Sequence, residues 1–198
     1  MSKIRLRDIG LLCVIFVAGC EAMFVPETND PAQKLKWAQV LNEQQGRPLP
    51  AERLIEEAIS TYNSDKDTTG LAEAYRSYGF FFRSATVSSW EGYYREHRFR
   101  DADATFDTRF QKSIEYFQKA EDIYKSDQRA DKLSNVHFNM GITYRLMGDK
   151  LSACAAFNES LEDNKVYVKA YPDATFDLPP GVASYQELVA RQKSDLGC

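Results

Sequence analysis

Oxygen-bearing side chains alternate along one short stretch of this chain, at Asp101, Asp103, Thr105 and Asp107. This spacing is typical of calcium-binding loops, in which alternate residues coordinate the ion. Such a loop also needs Gly at its sixth position and a bidentate Glu at its twelfth. Here those positions hold Phe106 and Lys112, so we predict no metal site.

The chain also lacks the residue patterns of common catalytic machinery. It has no phosphate-binding glycine loop, no Gly-x-Ser-x-Gly, no His-Glu-x-x-His, no Cys-x-x-Cys and no dinucleotide-binding glycine triplet. Its two histidines, His97 and His137, are 40 residues apart. We therefore predict that the protein is not an enzyme and binds no cofactor.

The first 20 residues have the layout of a secretory signal. A basic start with Lys3, Arg5 and Arg7 precedes an apolar run, which ends in Val17-Ala18-Gly19-Cys20. The run is shorter than the roughly 20 residues that a bilayer-spanning helix needs. The four residues at its end resemble the lipobox of bacterial lipoproteins. The resemblance implies that residues 1–19 are a signal peptide, that cleavage occurs before Cys20, and that Cys20 carries the acyl chains.

The resemblance to lipoproteins also implies where the protein works. Its contact with the membrane is the lipid anchor, and Glu21 after the lipidated cysteine favours the outer membrane, with the protein facing the periplasm. We interpret residues 20–31, which contain Pro26 and Pro31, as a tether. Loss of residues 1–19 changes the formal net charge from −4 to −6, which makes nucleic acid an unsuitable partner.

Two further cysteines, Cys154 and Cys198, belong to the mature chain. An oxidising envelope permits them to pair. A frayed carboxyl terminus would instead leave Cys198 free. The sequence leaves both alternatives open.

The main organising signal is self-similarity at an offset of 62 residues. Ala58-Ile-Ser-Thr-Tyr62-Asn-Ser-Asp65 returns as Ala120-Glu-Asp-Ile-Tyr124-Lys-Ser-Asp127, and Tyr78-Gly79 corresponds to Met140-Gly141. His137 takes the position of Tyr75 in this alignment, which favours packing over catalysis for that histidine. A fixed period of this kind predicts stacked supersecondary units.

Residues 134–167 resemble a tetratricopeptide repeat. Gly141 and Tyr144 are followed by a turn glycine at Gly148 and then by Ala153 and Phe157. Weaker units cover residues 32–65 and 72–125, and the second carries an insert of about 22 residues. The resemblance implies an all-α solenoid of about three helical hairpins over residues 32–182, including a Pro-rich crossing, and a capping helix over 183–198. The alternative is an ordinary amphipathic helical bundle.

In tetratricopeptide proteins, the first helix of each hairpin lines a concave groove. The resemblance places cationic and apolar side chains there in alternation, which suits a peptide with apolar anchors and acidic residues. The alternative is a solvated helix face. The groove residues are Lys36, Arg76, Phe80, Arg83, Phe138, Ile142 and Arg145.

The insert offers a second candidate surface, at Trp90, Tyr93, Tyr94 and Arg98. Aromatic and arginine side chains are common at binding hot spots. The alternative is that the aromatic rings only seal the insert against the helices beside it.

From these observations we expect an adaptor or assembly factor for an envelope machine, such as a pilus, a secretion apparatus or outer-membrane biogenesis. Its partner would be another envelope protein or a peptide. In architecture the chain resembles pilotins, which are small tetratricopeptide lipoproteins. The alternatives are an accessory protein or enzyme of cell-wall metabolism, or a purely structural lipoprotein.

Overall fold

The computed structural model describes Val25 and residues 27–198, and the regular secondary structure of these residues is helical, without strands. The all-α class predicted from the sequence is confirmed. The helices are α1 (Pro31–Gln39), α2 (Pro48–Asp65), α3 (Thr68–Phe82), α4 (Ala85–Ser89), α5 (Glu91–His97), α6 (Arg109–Ser126), α7 (Ala130–Met147), α8 (Lys150–Ala170) and α9 (Tyr185–Leu196). A π-helical turn, Val40–Gln44, continues α1. The predicted signal peptide and Cys20 lie outside the described residues.

Short polar side chains begin several of these helices. Asp30 accepts a hydrogen bond from a backbone N–H of the first turn of α1, Asp67 does so for α3, and Asp149 does so for α8. A cap of this kind typically stabilises a helix by about 1 kcal/mol. Gly148 ends α7 with a φ of +77°, and Gly46 precedes α2 with a φ of +64°. The two turns are therefore made by glycine, as the sequence predicts.

The main contacts of the helices follow the order of the chain, except across the insert. α1 packs against α2, α2 against α3, α6 against α7, and α7 against α8. The exception is that α3 packs against α6, because α4 and α5 form an insert between them. α3 and α6 therefore pack together from either side of the insert in sequence.

Two glycines that the 62-residue offset aligns allow close contacts between helices. A Cβ atom added to Gly79 of α3 would lie 2.8 Å from the ring of Phe117 in α6, and one added to Gly141 of α7 would lie 2.6 Å from the ring of Phe157 in α8. Both phenylalanines are fully buried. The two glycines are those aligned by the 62-residue offset, so the two helix pairs are held by the same kind of contact.

We expect Gly141→Ala to lower the free energy of unfolding by about 1–2 kcal/mol. Overpacking against Phe157 costs about 1–3 kcal/mol, and the better helix propensity of alanine offsets about 1 kcal/mol of that. Urea unfolding followed by circular dichroism measures the change. The control is Gly92→Ala in α5, where a Cβ atom meets nothing within 4 Å, and it should stabilise the protein slightly. A Gly141→Ala protein as stable as the Gly92→Ala protein would contradict the close contact.

The insert is folded onto the body by aromatic packing. Tyr94 is 1 % exposed, and its ring stacks on Phe99 at 4.1 Å between ring centroids. Both rings belong to the same buried cluster as Phe81 and Phe82 of α3. The prediction that Tyr94 contacts a partner is therefore wrong, because its ring is part of the core. Trp90 is half-buried and packs against this cluster.

A buried carboxyl group fixes the end of the insert to α2. Glu52 is 1 % exposed, and its Oε1 accepts hydrogen bonds from the hydroxyl of Tyr78 at 3.0 Å and from the backbone N–H of Arg100 at 2.8 Å. Burial outweighs these hydrogen bonds and raises the pKa of Glu52 to about 7. The folded protein therefore prefers this group in its neutral form.

The raised pKa of Glu52 predicts a pH-dependent loss of stability. The stabilising contribution of its neutral form is complete below about pH 4.5 and is lost as the pH rises through about 7. Glu52→Gln keeps the oxygen acceptor and cannot ionise. We expect it to raise the free energy of unfolding at about pH 8 by up to about 3 kcal/mol, with little change near pH 4. Glu96→Gln, at an exposed glutamate, is the control. A constant difference between Glu52→Gln and the natural protein from pH 4 to 8 would contradict a neutral buried Glu52.

The segment predicted to be a tether is partly integrated into the fold. Val25 packs against the cluster formed by α1, α2, α3 and the insert, and Pro31 is already the first residue of α1. Proline suits that position because it has no N–H to satisfy and its φ is helical. The tether predicted over residues 20–31 therefore includes the first residue of α1, and its predicted end is wrong by that residue. Residues 20–24 and 26 lie outside the described part.

At the other end, α9 packs against α8 and is tied to it covalently. Cys154 and Cys198 form a disulfide, with their Cα atoms 5.9 Å apart. The bridged alternative is thus the one found in the structure. Within the described residues, no helix has both the length and the hydropathy that crossing a bilayer requires.

Candidate functional site

An open cleft of about 440 Å³ lies between α1 and α3, with side chains of α2 at its base. Three of the predicted groove residues, Lys36, Arg76 and Phe80, line it. The other lining side chains are Ala32, Leu35, Ala38, Gln39, Asn42, Glu43, Ile55, Tyr62, Glu73, Ser77 and Phe81. The cleft is therefore amphipathic, since both apolar and polar side chains line it.

Phe80 is the aromatic centre of this region. Its half-buried ring meets the ring of Phe117 edge-on at 5.3 Å between centroids. The guanidinium groups of Arg76 and Arg83 lie over the ring of Phe80, at 5.5 and 5.1 Å from its centroid. Cation–π contacts of this kind hold the ring in place while leaving part of it open to the cleft.

The two arginines differ in their partners. Arg76 forms an ion pair with Glu73 at 2.7 Å, and Lys132 contacts the other oxygen of the same carboxylate at 2.8 Å. Although burial opposes the charge, these two cations lower the pKa of Glu73 to about 2. The charge of Arg76 is thus compensated within the protein.

Arg83 has no such compensation among the described residues. It donates a hydrogen bond to the neutral amide of Asn139, and its Nε is buried without a partner. The pKa of Arg83 is lowered to about 10, mainly by burial; the charge of Glu43 opposes this shift and the charge of Arg145 adds to it. Arg83 is a positive charge that the fold disfavours.

This cleft is not lined by the other four predicted groove residues, which are Arg83, Phe138, Ile142 and Arg145. Phe138 and Ile142 of α7 pack in an apolar cluster with Val189 and Leu196 of α9. The ring of Phe138 lies 6.0 Å from that of Tyr185, whose hydroxyl donates to the backbone oxygen of Ser134 at 3.0 Å. The prediction that Phe138 and Ile142 anchor a partner is wrong, because α9 already occupies that part of the face.

The remaining candidates of the insert divide by exposure. Tyr93 is 38 % exposed, and its ring lies 4.6 Å from that of His97. Arg98 is exposed and has a φ of +63°. Trp90 meets Tyr93 edge-on. The insert therefore presents a small exposed surface at Tyr93 and Arg98. The rings of Trp90 and Tyr94 pack against Tyr93.

Sequence analysis missed an ionic contact at His137. The imidazole is 4 % exposed, with Nδ1 2.6 Å from Asp163 of α8 and Nε2 3.0 Å from Glu121 of α6. Burial alone would lower the pKa of His137, but the two carboxylates raise it to about 9. The imidazolium therefore joins three helices. The repeat aligns His137 with Tyr75, and this alignment indicated a packing position for the histidine. It did not indicate the two acidic partners.

The carboxylates of the alternating acidic stretch are engaged with other side chains. Asp101 accepts a hydrogen bond from the hydroxyl of Tyr116 at 3.0 Å, and Asp107 pairs with Arg95 at 2.7 Å. In the part of the chain that the structure describes, no group of three or more His, Cys, Asp and Glu side chains has a metal-binding arrangement.

Sequence reasoning also missed several cleft residues, among them Asn42 and Glu43. Both lie in the π-helical turn, which shifts the register of side chains by one residue relative to a regular helix.

Comparison with known proteins assigns no family to this chain. No family model, no curated protein and no solved structure matches the chain.

Proposed function

We propose that this protein is a lipid-anchored adaptor or assembly factor of a bacterial envelope machine, with tetratricopeptide-like hairpins. Its partner is another envelope protein, which it binds through a peptide segment in the cleft between α1 and α3. The machine is a pilus, a secretion apparatus or a system of outer-membrane biogenesis. The observation that carries the proposal is the open amphipathic cleft, in which the half-buried ring of Phe80 lies between cations.

The equivalence of the helix pairs supports tetratricopeptide-like stacking. The Gly79–Phe117 and Gly141–Phe157 contacts hold α3 against α6 and α7 against α8 at positions related by the sequence repeat. In such a stack, the first helices of consecutive hairpins are neighbours on one face. α1 and α3 would be two of these neighbours, which agrees with the cleft between them.

The π-helical turn accounts for the weak match of residues 32–65 to the tetratricopeptide pattern. Gly141 precedes the turn glycine Gly148 by seven residues, whereas the buried Ala38 precedes Gly46 by eight. A π-helical turn accommodates one extra residue within a helix. Ala38 then takes the place of the small residue on the first helix, opposite Ala51 and Ile55 of α2, with which it shares a cluster.

A photo-crosslinking experiment in living cells tests the adaptor function. A photoreactive amino acid at Gln39, on the cleft wall, should capture one envelope protein in a defined adduct, and Phe80→Ala should reduce this adduct strongly, since a desolvated anchor contributes about 2 kcal/mol or more. The same probe at Gln118, exposed on α6 and outside the cleft, is the control. Equal adducts at the two positions, or no effect of Phe80→Ala, would reject the cleft as the binding surface.

Probes at Tyr93 and Arg98 separate the two candidate surfaces. If the defined adduct forms there and not at Gln39, the insert is the binding surface. If no position gives an adduct, the purely structural alternative gains support. The cell-wall alternative needs a catalytic pair of carboxylates in a cleft. Two carboxylates line this cleft, Glu43 and Glu73, but Glu73 is paired with Arg76 and Lys132 and its pKa is lowered to about 2, which disfavours a role as proton donor.

The lipid anchor has its own test. Cys20→Ser should yield a protein without acyl chains that is uncleaved or mislocalised. Mass spectrometry of the amino terminus of the natural protein measures the modification directly. An unmodified amino terminus, at Cys20 or elsewhere, would reject the lipoprotein proposal while leaving the adaptor proposal standing.

A further inference from the structure

The face that carries Phe80 contains two arginines in contrasting states. Arg76 and Arg83 lie over the same ring at similar distances. Arg76 is neutralised by Glu73, whereas no carboxylate of the described residues lies within 4.0 Å of Arg83. A buried guanidinium without a counter-ion costs folding free energy. The fold retains such a group at the side of an open cleft.

The neighbours of Arg83 add to the positive charge. Arg145 of α7 is close enough to lower the pKa of Arg83. Asn139, which accepts from Arg83, is itself held by hydrogen bonds from its Nδ2 to the backbone oxygen and the side-chain oxygen of Asn135, at 2.7 and 3.3 Å. The guanidinium is thus oriented by a neutral, fixed side chain that leaves its charge uncompensated.

The acidic group that acts on Arg83 from the other side is already engaged. Glu43 lies in the π-helical turn and accepts a hydrogen bond from the side-chain amide of Gln39 at 3.0 Å. Its charge favours ionised Arg83, but it is exposed and lies outside ion-pair distance. Arg83, which lies over the ring of Phe80 without an ion-pair partner among the described residues, therefore suits a carboxylate supplied by another molecule.

We propose that Arg83 forms a carboxylate-binding subsite beside Phe80 and next to the cleft, with Arg145 as a supporting charge, and that the partner supplies an Asp or Glu side chain there. The bound segment also carries an apolar residue that packs on Phe80, so the partner's peptide alternates acidic and apolar residues. Charge complementarity selects this occupant over a basic or a purely apolar segment. The inference rests on the proposed function, because it specifies the peptide that the cleft takes.

Selection from a random peptide library displayed on phage tests the subsite. The target is the full-length protein in mild detergent. Peptides whose capture depends on Phe80 should be enriched in Asp or Glu beside an apolar residue. The enrichment in acidic residues should vanish on Arg83→Gln and persist on Arg191→Gln, which removes an exposed arginine of α9 outside the cleft. Capture that depends on Phe80 but lacks acidic enrichment overturns the subsite and leaves the adaptor proposal intact. If no selected peptide depends on Phe80, the proposed function itself fails.

A titration of one selected peptide then measures the contact. We expect Arg83→Gln to weaken binding of the acidic peptide by about 10- to 100-fold. The same peptide with its acidic residue changed to the amide should bind both proteins equally, which isolates the pair in a double-mutant cycle. Arg145→Gln should give a smaller loss of the same kind. Additive losses, with no coupling between Arg83 and the peptide carboxylate, would overturn the proposal.

Stability distinguishes a binding arginine from a structural one. Because the charge of Arg83 is uncompensated in the free protein, Arg83→Gln should melt at the same temperature as the natural protein or above it. Arg76→Gln should melt below it, because Glu73 loses a partner. A marked fall in the melting temperature of Arg83→Gln would mean that Arg83 supports the fold, which would overturn its assignment to the partner.

Discussion

His137→Gln is expected to lower the free energy of unfolding by about 3–5 kcal/mol near neutral pH, the largest effect of a single substitution considered for this protein. Removing one partner of a buried ion pair leaves the other charged and less compensated. Glu121 keeps its ion pair with Lys125, but Asp163 has no other ion pair among the described residues. Here the imidazolium separates Glu121 of α6 from Asp163 of α8. Without it, two carboxylates face each other across α7. Urea unfolding measures the loss.

The pH profile of this effect has a definite sign. The pKa of His137 is raised from 6.5 to about 9, so its contribution is complete below about pH 6.5 and is lost as the pH rises through about 9. The shift corresponds to about 3 kcal/mol. The difference in stability between the natural protein and His137→Gln should therefore shrink from pH 6 to pH 10.

The chain offers a matched control in its other histidine. The side chain of His97 is 50 % exposed and lies 3.7 Å from Glu96, so His97→Gln should change stability by less than about 0.5 kcal/mol. If the two variants behave alike, or if the effect of His137→Gln does not depend on pH, the imidazolium contact does not exist in solution.

Reduction of the Cys154–Cys198 disulfide should lower the free energy of unfolding by about 4 kcal/mol. The two cysteines are 44 residues apart in sequence, and a cross-link over a loop of that length restricts the unfolded chain by about this amount. The bridge also ties α9 to α8 across a non-helical crossing of residues 171–184. The predicted result is a lower melting temperature in the presence of a reductant.

Thiol counting and a double variant complete this test. The Cys154→Ser/Cys198→Ser protein should resemble the reduced protein and should not respond to the reductant. Hydrogen exchange should rise in α9 after reduction, while α1 to α3 stay protected, because α9 packs mainly against α8. Two free thiols at these positions in the oxidised protein, or a melting temperature that ignores the reductant, would show that the bridge does not form.

The sequence by itself determined the elements of this protein and their turns, because those signals are local. Asp30 with Pro31, Asp67 and Asp149 mark helix starts, and each acts on backbone groups within a few residues. Gly148 makes its turn for the same reason. The glycines at 79 and 141 could be aligned because the repeat relates residues of one chain, and each of them meets a phenylalanine as the repeat implies.

Only the tertiary structure decided which exposed-looking faces are free, because that depends on residues distant in the sequence. Phe138 and Ile142 have the spacing of groove residues, yet the chain's own α9 covers them. Tyr94 resembles a surface aromatic residue, yet Phe99 and α3 enclose it. The same reason explains Glu52, His137 and Arg83. Their charge states depend on how deeply each side chain is buried and on its partners on other helices. Neither can be read from a local sequence pattern.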